Sequence, residues 1–465
     1  MPHLLISAAH KSSGKTTISL GLCAALAARM VVQPFKKGPD YIDPLWLSQA
    51  AHRACHNLDF YTMSPSEIRE TFVWYSQNAD ISLIEGNKGL YDGMAIDGRN
   101  SNAALAHLLG APVVLVIDTQ GMTRGIAPLI LGYQQFDKQI QIAGVILNRV
   151  GGDRHESKLR ESMAYHTDVP VIGAVQRDAS LVIEERHLGL MPSNEDNLAL
   201  DKINMIAKRI VEQVNLDQLI NIAKGAKPTW DDDLVNNSRL AWHKSRRVTD
   251  IKIGVMRDAA FGFYYAGDLE ALEAAGAQLV LIDALHDTQL PQLDALFIGG
   301  GFPETQMAEL SDNKPLKTEI RNAIDRGMPV YAECGGLMYL SRQLTWRGKT
   351  CEMVGALPFD TVMTSRPQGR GYVHLRETGN GLWPLLDASN QPADFYAHEF
   401  HYSKATSVPS DLRFAYHVLR GQGIDGNHDG VIYKNTLASY VHLRDVENNH
   451  WARRFVEFVR NLKNK

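Results

Sequence analysis

A phosphate-binding loop near the start of the chain constrains the fold more than any other segment. Residues 7–17 read Ser-Ala-Ala-His-Lys-Ser-Ser-Gly-Lys-Thr-Thr, between an apolar run at 4–6 and a helix-forming stretch at 18–29. This order of strand, loop and helix surrounds an anion with backbone N–H groups. The lysine of such a loop reaches terminal phosphates, and the threonine hydroxyl ligates Mg²⁺. The candidate ATP contacts are Lys11, Ser13, Gly14, Lys15, Thr16 and Thr17, with Thr16 also a candidate metal ligand.

The loop departs from the common pattern at one position, because Ala9 stands where the first glycine usually lies. A turn rich in serine and glycine before an ordinary helix is the alternative interpretation. The order Gly-Lys-Thr-Thr after an apolar strand favours nucleotide binding.

The composition is that of an ordinary globular protein. Of 465 residues, 45% are hydrophobic and 22% are charged, and the net charge of −4 has both signs interspersed. We therefore expect no nucleic-acid partner and, without an apolar run of about 18 residues, no membrane span. The four cysteines form no Cys-x-x-Cys pair: Cys23, Cys55, Cys334 and Cys351. With no secretory signal in the first residues, this pattern predicts a cytoplasmic protein with reduced thiols.

Short apolar runs alternate with helical stretches, which is typical of an α/β fold with parallel sheets. In the first half, strands are predicted at 4–8, 31–35, 81–85, 113–118, 145–148 and 171–175, and a helical stretch at 200–222. In the second half, strands are predicted at 251–256, 279–282, 295–298 and 330–332, and helices at 267–276 and 314–327. Residues 224–250 lack periodicity and are interpreted as a linker between domains at 1–223 and 251–465.

A second chemical centre is predicted around Cys334. An apolar strand leads into this cysteine, and glycines and a helical pattern follow it, as in a nucleophile elbow. We expect the helix N-terminus to lower the pKa of the thiol. The N–H groups of Gly300, Gly301 and Gly335 are candidates for an oxyanion hole, and His442, after a later strand, is the candidate base. A buried structural cysteine is the alternative.

Charged residues follow the second and third predicted strands of the first half. Lys36 and Lys37 are suited to hold a carboxylate and a phosphoryl group in transfer. Glu85 ends the third strand, where a parallel sheet places a Mg²⁺ ligand beside a phosphate loop. Asp40 is the second metal-ligand candidate, with Asp43 as the alternative to it. A charged surface turn is the competing interpretation of this segment.

The glycine turn, the cysteine and the histidine, in this order along the chain, resemble a class I glutamine amidotransferase domain, in which a thiolate releases ammonia from glutamine. In the triad form of that family an acid lies two residues after the histidine, where this chain has Arg444. The resemblance therefore implies a dyad of Cys334 and His442, as in the cobyric-acid-synthase-like branch.

The whole chain resembles the cobyrinic acid a,c-diamide synthase family. Besides the phosphate loop, four motifs carry the resemblance: Lys-x-Gly-Pro-Asp-Tyr-Ile-Asp-Pro at 36–44, Glu-Gly-x-x-Gly-Leu-x-Asp-Gly at 85–93, Glu-Cys-Gly-Gly at 333–336 and Ala-His-Glu-Phe-His-Tyr-Ser at 397–403. It implies a P-loop NTPase domain similar to dethiobiotin synthetase, followed by an amidotransferase domain. By that relationship Asn148 is a candidate adenine contact.

The resemblance further implies amidation of the a and c acetates of a modified tetrapyrrole, with glutamine as nitrogen donor and with ATP and Mg²⁺ as cofactors. Cobyrinate, hydrogenobyrinate, nickel sirohydrochlorin and sirohaem all remain open as acceptors. At positions 37, 44–46 and 87–88 the sequence departs from the pattern of the cobyrinate branch, and there it resembles the sirohaem amidase branch. The candidate tetrapyrrole contacts are Lys37, Tyr41, Asp43, Lys88 and Asp92. Trp46 is expected either to stack on the macrocycle or to lie in the core.

A MinD/ParA-like ATP-driven switch is the competing hypothesis. Lys11 is typical of that dimerising branch and predicts a homodimer. Cys334 and His442 argue against it, because a switch has no use for either residue.

Overall fold

The computed structural model describes residues 1–464 apart from 184, 187–188, 196–197, 231–248 and 387–390. The chain divides into two compact units, Met1–Phe60 with Ser64–Leu240 and Tyr61–Met63 with Ala241–Lys465. Most of the predicted linker at 224–250 lies outside the described residues, so the domain boundaries at 223 and 251 stay predictions. Within the described ranges, no helix is long and apolar enough to cross a membrane.

The first unit contains a seven-stranded parallel sheet with the order β3-β2-β4-β1-β5-β6-β7. Its strands are β1 (His3–Ala8), β2 (Val32–Lys37), β3 (His56–Leu58), β4 (Ile81–Glu85), β5 (Val113–Asp118), β6 (Ile142–Val150) and β7 (Val171–Gln176). The helices are α1 (Lys15–Ala27), α2 (Ile42–Ala51), α3 (Pro65–Ser76), α4 (Asn102–Leu109), α5 (Ile126–Phe136), α6 (Asp153–His166), α7 (Ala199–Gln213) and α8 (Leu216–Lys224). A separate ribbon joins β8 (Glu185–Arg186) to β9 (Gly189–Leu190).

The strands of this sheet are covered on both faces. Every residue of β1, β2 and β4 is buried, whereas a strand covered on one face alternates between buried and exposed residues. This arrangement confirms the predicted α/β class. Because β1 lies between β4 and β5, the loop that follows β1 lies at the carboxyl edge of the sheet, where such folds bind ligands.

The predicted helical stretch at 200–222 contains a break. Val214 pairs with Gly173 in an isolated β-bridge, and the Asn215 side chain accepts a 2.9 Å hydrogen bond from the Gln218 N–H. Asn215 therefore caps a second helix. Asparagine before an amphipathic run is a recognised helix-start signal, so the break was visible in the sequence.

The second unit contains a nine-stranded mixed sheet with the order β12-β10-β13-β15-β24-β23-β22-β19-β20. The strands of this unit are β10 (Ile251–Met256), β11 (Phe261–Phe263), β12 (Ala277–Ile282), β13 (Ala295–Ile298), β14 (Gly300–Gly301), β15 (Val330–Glu333), β16 (Gln343–Trp346), β17 (Lys349–Glu352), β18 (Asp360–Met363), β19 (Gly369–Glu377), β20 (Asp394–His401), β21 (Ser403–Thr406), β22 (Arg413–Arg420), β23 (His428–Tyr433) and β24 (Thr436–Ser439). Its helices are α9 (Ala266–Ala274), α10 (Met307–Asp312), α11 (Lys314–Asp325), α12 (Gly335–Leu340) and α13 (Trp451–Lys463). A smaller sheet has the order β17-β16-β18-β21, and β11 pairs with β14.

This sheet is parallel from β12 to β24 and antiparallel from β24 to β20. Apart from the strand before His442, sequence reasoning predicted none of the strands after residue 332. Those strands follow one another without long helices between them, so the alternation that guided the prediction is absent there.

Two apolar cores lie on opposite faces of the large sheet. Along β13, Ile298 belongs to one cluster and Phe297 to the other, and along β15 Ala332 and Tyr331 divide in the same way. Successive side chains of a strand point to opposite faces, which explains the alternation. Glu333 therefore lies on the same face as Tyr331.

The packing of α1 against α7 generates a stability prediction. A Cβ on Gly21 would lie 2.8 Å from Ile206 Cγ2 and closer still to Ile210 Cγ1. We expect Gly21→Ala to lower the free energy of unfolding of the first unit by about 1–3 kcal/mol, because both helices must shift. Urea titration followed by circular dichroism measures this change.

Gly132→Ala is the matched control, since a Cβ there has nothing within 4 Å and alanine favours a helix by about 0.5–1 kcal/mol. Equal stability of the two variants would contradict the described packing.

Candidate active site

The phosphate loop lies between β1 and α1, which begins at Lys15 and not at 18. Gly14 precedes the helix with φ 80°, in the left-handed region that favours glycine. A Cβ on Gly14 would overlap the side-chain amide of Asn148, and that amide donates a 2.9 Å hydrogen bond to the Ser13 carbonyl. Asn148 thus contacts the loop, while its role toward adenine stays a prediction.

The other predicted nucleotide contacts differ in exposure. Lys11 is exposed, whereas Lys15, Thr16 and Thr17 are half-buried. Burial lowers the pKa of Lys15, and the neighbouring charge of Lys36 lowers it further. An anion held by the loop would reduce the repulsion between these two lysines.

One buried lysine beside the loop is shared by three carboxylates. Lys36 Nζ lies 3.0 Å from Glu85 Oε1 and 3.8 Å from Asp40 Oδ2, and it donates a short hydrogen bond to Asp43. The Thr16 hydroxyl donates to Glu85 Oε1 at 2.8 Å and lies 3.3 Å from Asp43 Oδ2. These residues meet because β2 pairs with β4 and β4 pairs with β1.

The two aspartates of this cluster, both candidate metal ligands, have different surroundings. Asp40 Oδ1 accepts hydrogen bonds from the backbone N–H groups of Ile42 (2.9 Å) and Asp43 (3.2 Å), at the start of α2. Asp43 lies beside Thr16 in the carboxylate cluster, and its predicted contact with the acceptor stays a prediction. Asp43 is therefore better placed than Asp40 to share a cation with Thr16 and Glu85.

Burial and mutual charge perturb all four ionisable groups of the cluster. Burial raises the pKa of Asp40 to about 7, and the charge of Asp43 adds to the effect. Burial also raises the pKa of Glu85, with partial compensation by Lys36. For Asp43 the effect of burial is outweighed by Lys36, so its pKa is lowered. For Lys36 burial is outweighed by the three carboxylates, and its pKa lies well above the usual value.

One oxygen atom of the cluster is free of hydrogen bonds in the described residues and could bind a hard cation. Glu85 Oε2 is buried and has no hydrogen-bond partner among the described residues. The described part of the chain contains no ready-made group of three His, Cys, Asp or Glu ligands. Mg²⁺ needs no such cage, because it commonly binds to one or two carboxylates together with substrate phosphates.

The predicted acceptor contacts lie in the loops after β2 and β4. Lys37 is buried, and its Nζ lies 3.3 Å from Asn87 Oδ1. Burial lowers the pKa of Lys37 to about 8. The negative charge of Asp59 opposes this decrease, and the positive charge of Lys88 adds to it. Lys88 itself is exposed, with a φ of 37°.

The remaining predicted acceptor contacts are divided between surface and core. Asp92 is exposed and accepts a 3.0 Å hydrogen bond from the Gly89 N–H, whereas Tyr41 is buried before α2. Trp46 is fully buried, and its Nε1 donates to the Met191 carbonyl at 2.9 Å. The prediction that Trp46 lies in the core is confirmed, and the expectation that it stacks on a macrocycle was wrong.

In the second unit, Cys334 occupies a strained turn between β15 and α12. Its φ of 45° and ψ of −97° are unusual for a residue other than glycine, and such strain is concentrated at functional sites. The Cys334 N–H donates a 2.7 Å hydrogen bond to the Ser439 carbonyl at the end of β24. This geometry is that of the predicted nucleophile elbow.

The three predicted oxyanion-hole glycines adjoin one another and His442. A Cβ on Gly335 would lie 3.0 Å from the Gly301 nitrogen, and one on Gly300 would lie 2.5 Å from His442 Cε1. Only glycine permits such close approach of backbone and ring. The structure thus brings the glycine turn, the start of α12 and the histidine together, while their catalytic roles stay predictions.

Two residues that sequence reasoning did not single out flank the His442 ring. Glu333 Oε2 lies 3.3 Å from His442 Nδ1, and both side chains are buried. The His398 ring stacks on His442 at 5.1 Å between centroids, and the His442 N–H donates to the His398 carbonyl at 2.9 Å. Both residues lie within the quoted motifs, but only the pairing of distant strands shows that they meet.

The prediction that the helix N-terminus lowers the pKa of Cys334 was wrong. Burial raises the pKa of the thiol well above its usual value, and the carboxylates of Glu304 and Glu333 raise it further. The Gly335 N–H opposes this effect without overcoming it. The thiol is therefore neutral at rest and requires a base to react.

Comparison with known proteins identifies both units. A protein-family model described as an AAA domain matches residues 3–185. A second family model, described as a CobB/CobQ-like glutamine amidotransferase domain, matches residues 252–449. The cobyrinate a,c-diamide synthase of Magnetococcus marinus is 45% identical over 99% of this chain and 97% of its own length. The chain belongs to the cobyrinate a,c-diamide synthase family.

Further relatives support this membership. The cobyrinate a,c-diamide synthase of Methanosarcina barkeri is 41% identical over 100% of this chain, and that of Archaeoglobus fulgidus is 40% identical over 98%. Each match covers 97% of the relative. Membership confirms the predicted fold and the predicted enzyme class, a glutamine-hydrolysing ligase with an amidotransferase domain.

The raised pKa of Cys334 predicts slow alkylation at neutral pH. Because the thiolate fraction increases as the pH approaches the pKa, the rate of reaction with iodoacetamide should still be rising at the highest pH at which the protein stays folded. Peptide mass spectrometry measures this rate, and Cys351, which is less buried, should react faster at pH 7.5. Rapid labelling of Cys334 that is already independent of pH near neutrality would contradict the prediction.

Proposed function

We propose that this protein transfers ammonia from glutamine to carboxylates of a modified tetrapyrrole, with ATP as the activating substrate. The observation that carries the proposal is the presence in one chain of two centres. One is a phosphate loop beside Lys36 and Glu85, and the other is a strained turn at Cys334, whose preceding residue Glu333 contacts His442. We assign the synthetase to 1–223 and the glutaminase to 251–465. The names of the relatives, cobyrinate a,c-diamide synthases, support the same chemistry.

The synthetase half makes the carboxylate reactive, because a carboxylate oxygen is a poor leaving group. An acceptor oxygen attacks the γ-phosphorus of ATP and ADP leaves, which forms an acyl phosphate. Ammonia then attacks the acyl carbon, phosphate leaves and the excess proton passes to solvent. The loop N–H groups, Lys15 and Lys36 stabilise the negative charge on the phosphoryl oxygens.

A Mg²⁺ ion in this half would be held by Thr16, Glu85 and Asp43, with Asp40 adjacent. When bound, Mg²⁺ neutralises charge on the phosphates. The buried Glu85 Oε2 supports this assignment, since a cation would supply its missing partner.

The glutaminase half supplies ammonia on site, where unprotonated ammonia is otherwise scarce. His442 accepts the Cys334 proton while Sγ attacks the side-chain amide carbon of glutamine. The N–H groups of Gly301 and Gly335 stabilise the oxyanion. His442 returns the proton to the departing ammonia, and water then hydrolyses the thioester to glutamate.

The acceptor is inferred most directly from the relatives, which makes cobyrinate the first candidate. Hydrogenobyrinate, nickel sirohydrochlorin and sirohaem are further candidates, because the loop at 85–93 carries Asn87 and Lys88 beside Lys37. Incubation of each macrocycle with glutamine, ATP and Mg²⁺, followed by high-resolution mass spectrometry, identifies the acceptor. Each replacement of OH by NH₂ changes the mass by one fixed increment, so one and two amidations are distinguished.

No observation favours the MinD/ParA-like switch beyond Lys11, and family membership argues against it. The homodimer rests on that lysine alone and stays a prediction.

A comparison of glutamine with ammonia as the nitrogen donor tests the proposal. Cys334→Ser should lower glutamine-driven amidation by about 10⁴-fold or more while ammonia-driven amidation continues, because only the glutaminase needs the thiol. Lys15→Ala should impair both routes, since losing a charged phosphate contact costs about 1.5–3 kcal/mol. Product formation is measured with glutamine or ammonium chloride as donor. Equal loss of both routes in Cys334→Ser, or retained ammonia-driven activity in Lys15→Ala, would refute the proposal.

The pKa of about 8 at Lys37 predicts a pH-dependent acceptor KM. Lys37 is charged below that pH and neutral above it, so its attraction for an acceptor carboxylate is lost as the pH rises. KM for the acceptor, at saturating ATP and glutamine, should rise between pH 7 and 9.5. Lys37→Met should raise KM at pH 7 and remove this dependence, whereas Lys138→Met, at an exposed lysine, should change neither. A wild-type pH profile in Lys37→Met would exclude the residue from acceptor binding.

A further inference from the structure

Glu333 lies where an acid could contact the histidine of the predicted dyad, which itself includes no acid. It is the last residue of β15, directly before Cys334. Its Oε2 lies 3.3 Å from His442 Nδ1. Its Oε1 accepts hydrogen bonds from the Tyr331 hydroxyl and from the Leu443 N–H, the latter at 2.9 Å. The carboxylate is thus held on one oxygen and faces the imidazole with the other.

Burial strengthens the electrostatic interaction between Glu333 and His442. The side chains of Glu333 and His442 are each 3% exposed, and charge interactions are strong where water is excluded. One face of the imidazole is covered by His398, whose own pKa is lowered well below its usual value by burial and then by the charges of His442 and Arg444. His398 is therefore neutral, and Glu333 supplies a carboxylate in contact with His442 Nδ1.

We propose that Glu333 is the positioning residue of the glutaminase and takes the place of the acid that Arg444 excludes from the usual position. Glu333 accepts the Nδ1–H of His442, which fixes the tautomer with Nε2 as the base and stabilises the imidazolium formed when Cys334 gives up its proton. This inference rests on the proposed roles of Cys334 and His442.

Strand pairing explains how an acid from a different part of the chain fills this role. β15 pairs in parallel with β24, and Glu333 lies opposite Ser439 in the register. The chain then turns so that His442 and Leu443 both reach the Glu333 carboxylate, although 109 and 110 residues separate them from it. The acid and the nucleophile therefore come from adjacent residues, and the base comes from the segment that follows β24.

A purely structural role is the competing explanation, since the Leu443 N–H bond could serve only to fix the turn after β24. The two explanations differ in what they predict for proton transfer. An anchor affects folding and the affinity for glutamine, whereas a positioning acid affects kcat and its pH dependence.

Glu333→Gln tests the proposal, because glutamine keeps the shape and removes the charge. We expect glutaminase kcat to fall by about 10²–10⁴-fold with little change in the KM for glutamine. The acidic limb of the pH profile of kcat/KM should move to lower pH, because a neutral amide does not stabilise the imidazolium. Tyr331→Phe is the matched control: it removes the other side-chain bond to the carboxylate and should change kcat only a few-fold.

Two further measurements separate the possible outcomes. An unchanged KM for glutamine, together with a wild-type near-ultraviolet circular dichroism spectrum, reports whether the second unit of the Glu333→Gln protein is folded. In the wild-type protein, ¹⁵N NMR of labelled histidines, with His442 assigned from a His442→Asn variant, should show a protonated Nδ1 and an unprotonated Nε2. Wild-type kcat and pH profile in Glu333→Gln, or a proton on Nε2 in the wild type, would overturn the proposal. If Cys334→Ser also kept its glutaminase activity, the proposed function itself would fail.

Discussion

Parallel pairing of neighbouring strands determines where the reactive groups of this protein meet. In the first unit β4 lies between β2 and β1, so Lys36, Glu85 and Thr16 come together from three separate segments. In the second unit β15 lies between β13 and β24, so the glycine turn, Cys334 and His442 share one edge of the sheet. All of these strands end at the same edge because they run in the same direction.

Burial then controls the charges at both centres. Lys36 keeps its charge although it is only 3% exposed, because carboxylates surround it, and loss of a partner would leave an uncompensated charge in the interior. At the second centre the same physical effect keeps the Cys334 thiol neutral. A neutral thiol is a poor nucleophile and is slow to oxidise, so the proposed reaction requires a base.

Strong local signals made much of this molecule predictable. Residues 81–85 and 113–118 form the predicted strands because their uninterrupted apolar composition suits a strand buried on both faces. Gly14 and Cys334 were identifiable because each lies in a strand–turn–helix motif with a specific backbone requirement. The later antiparallel strands lack such a signal, since their residues alternate irregularly and no helix separates them.

The sequence by itself determined the α/β class and predicted the two chemical centres with most of the residues that we assign to them, because the motifs that encode them are local and each has a physical requirement. Only the tertiary structure decided which carboxylates meet which partners. It placed Asp43 beside Thr16, Trp46 in the core and Glu333 beside His442, and it raised the pKa of a thiol that the local motif predicted to be acidic. The physical reason is that contact and burial depend on strand register and on residues about a hundred positions away, which no local pattern records.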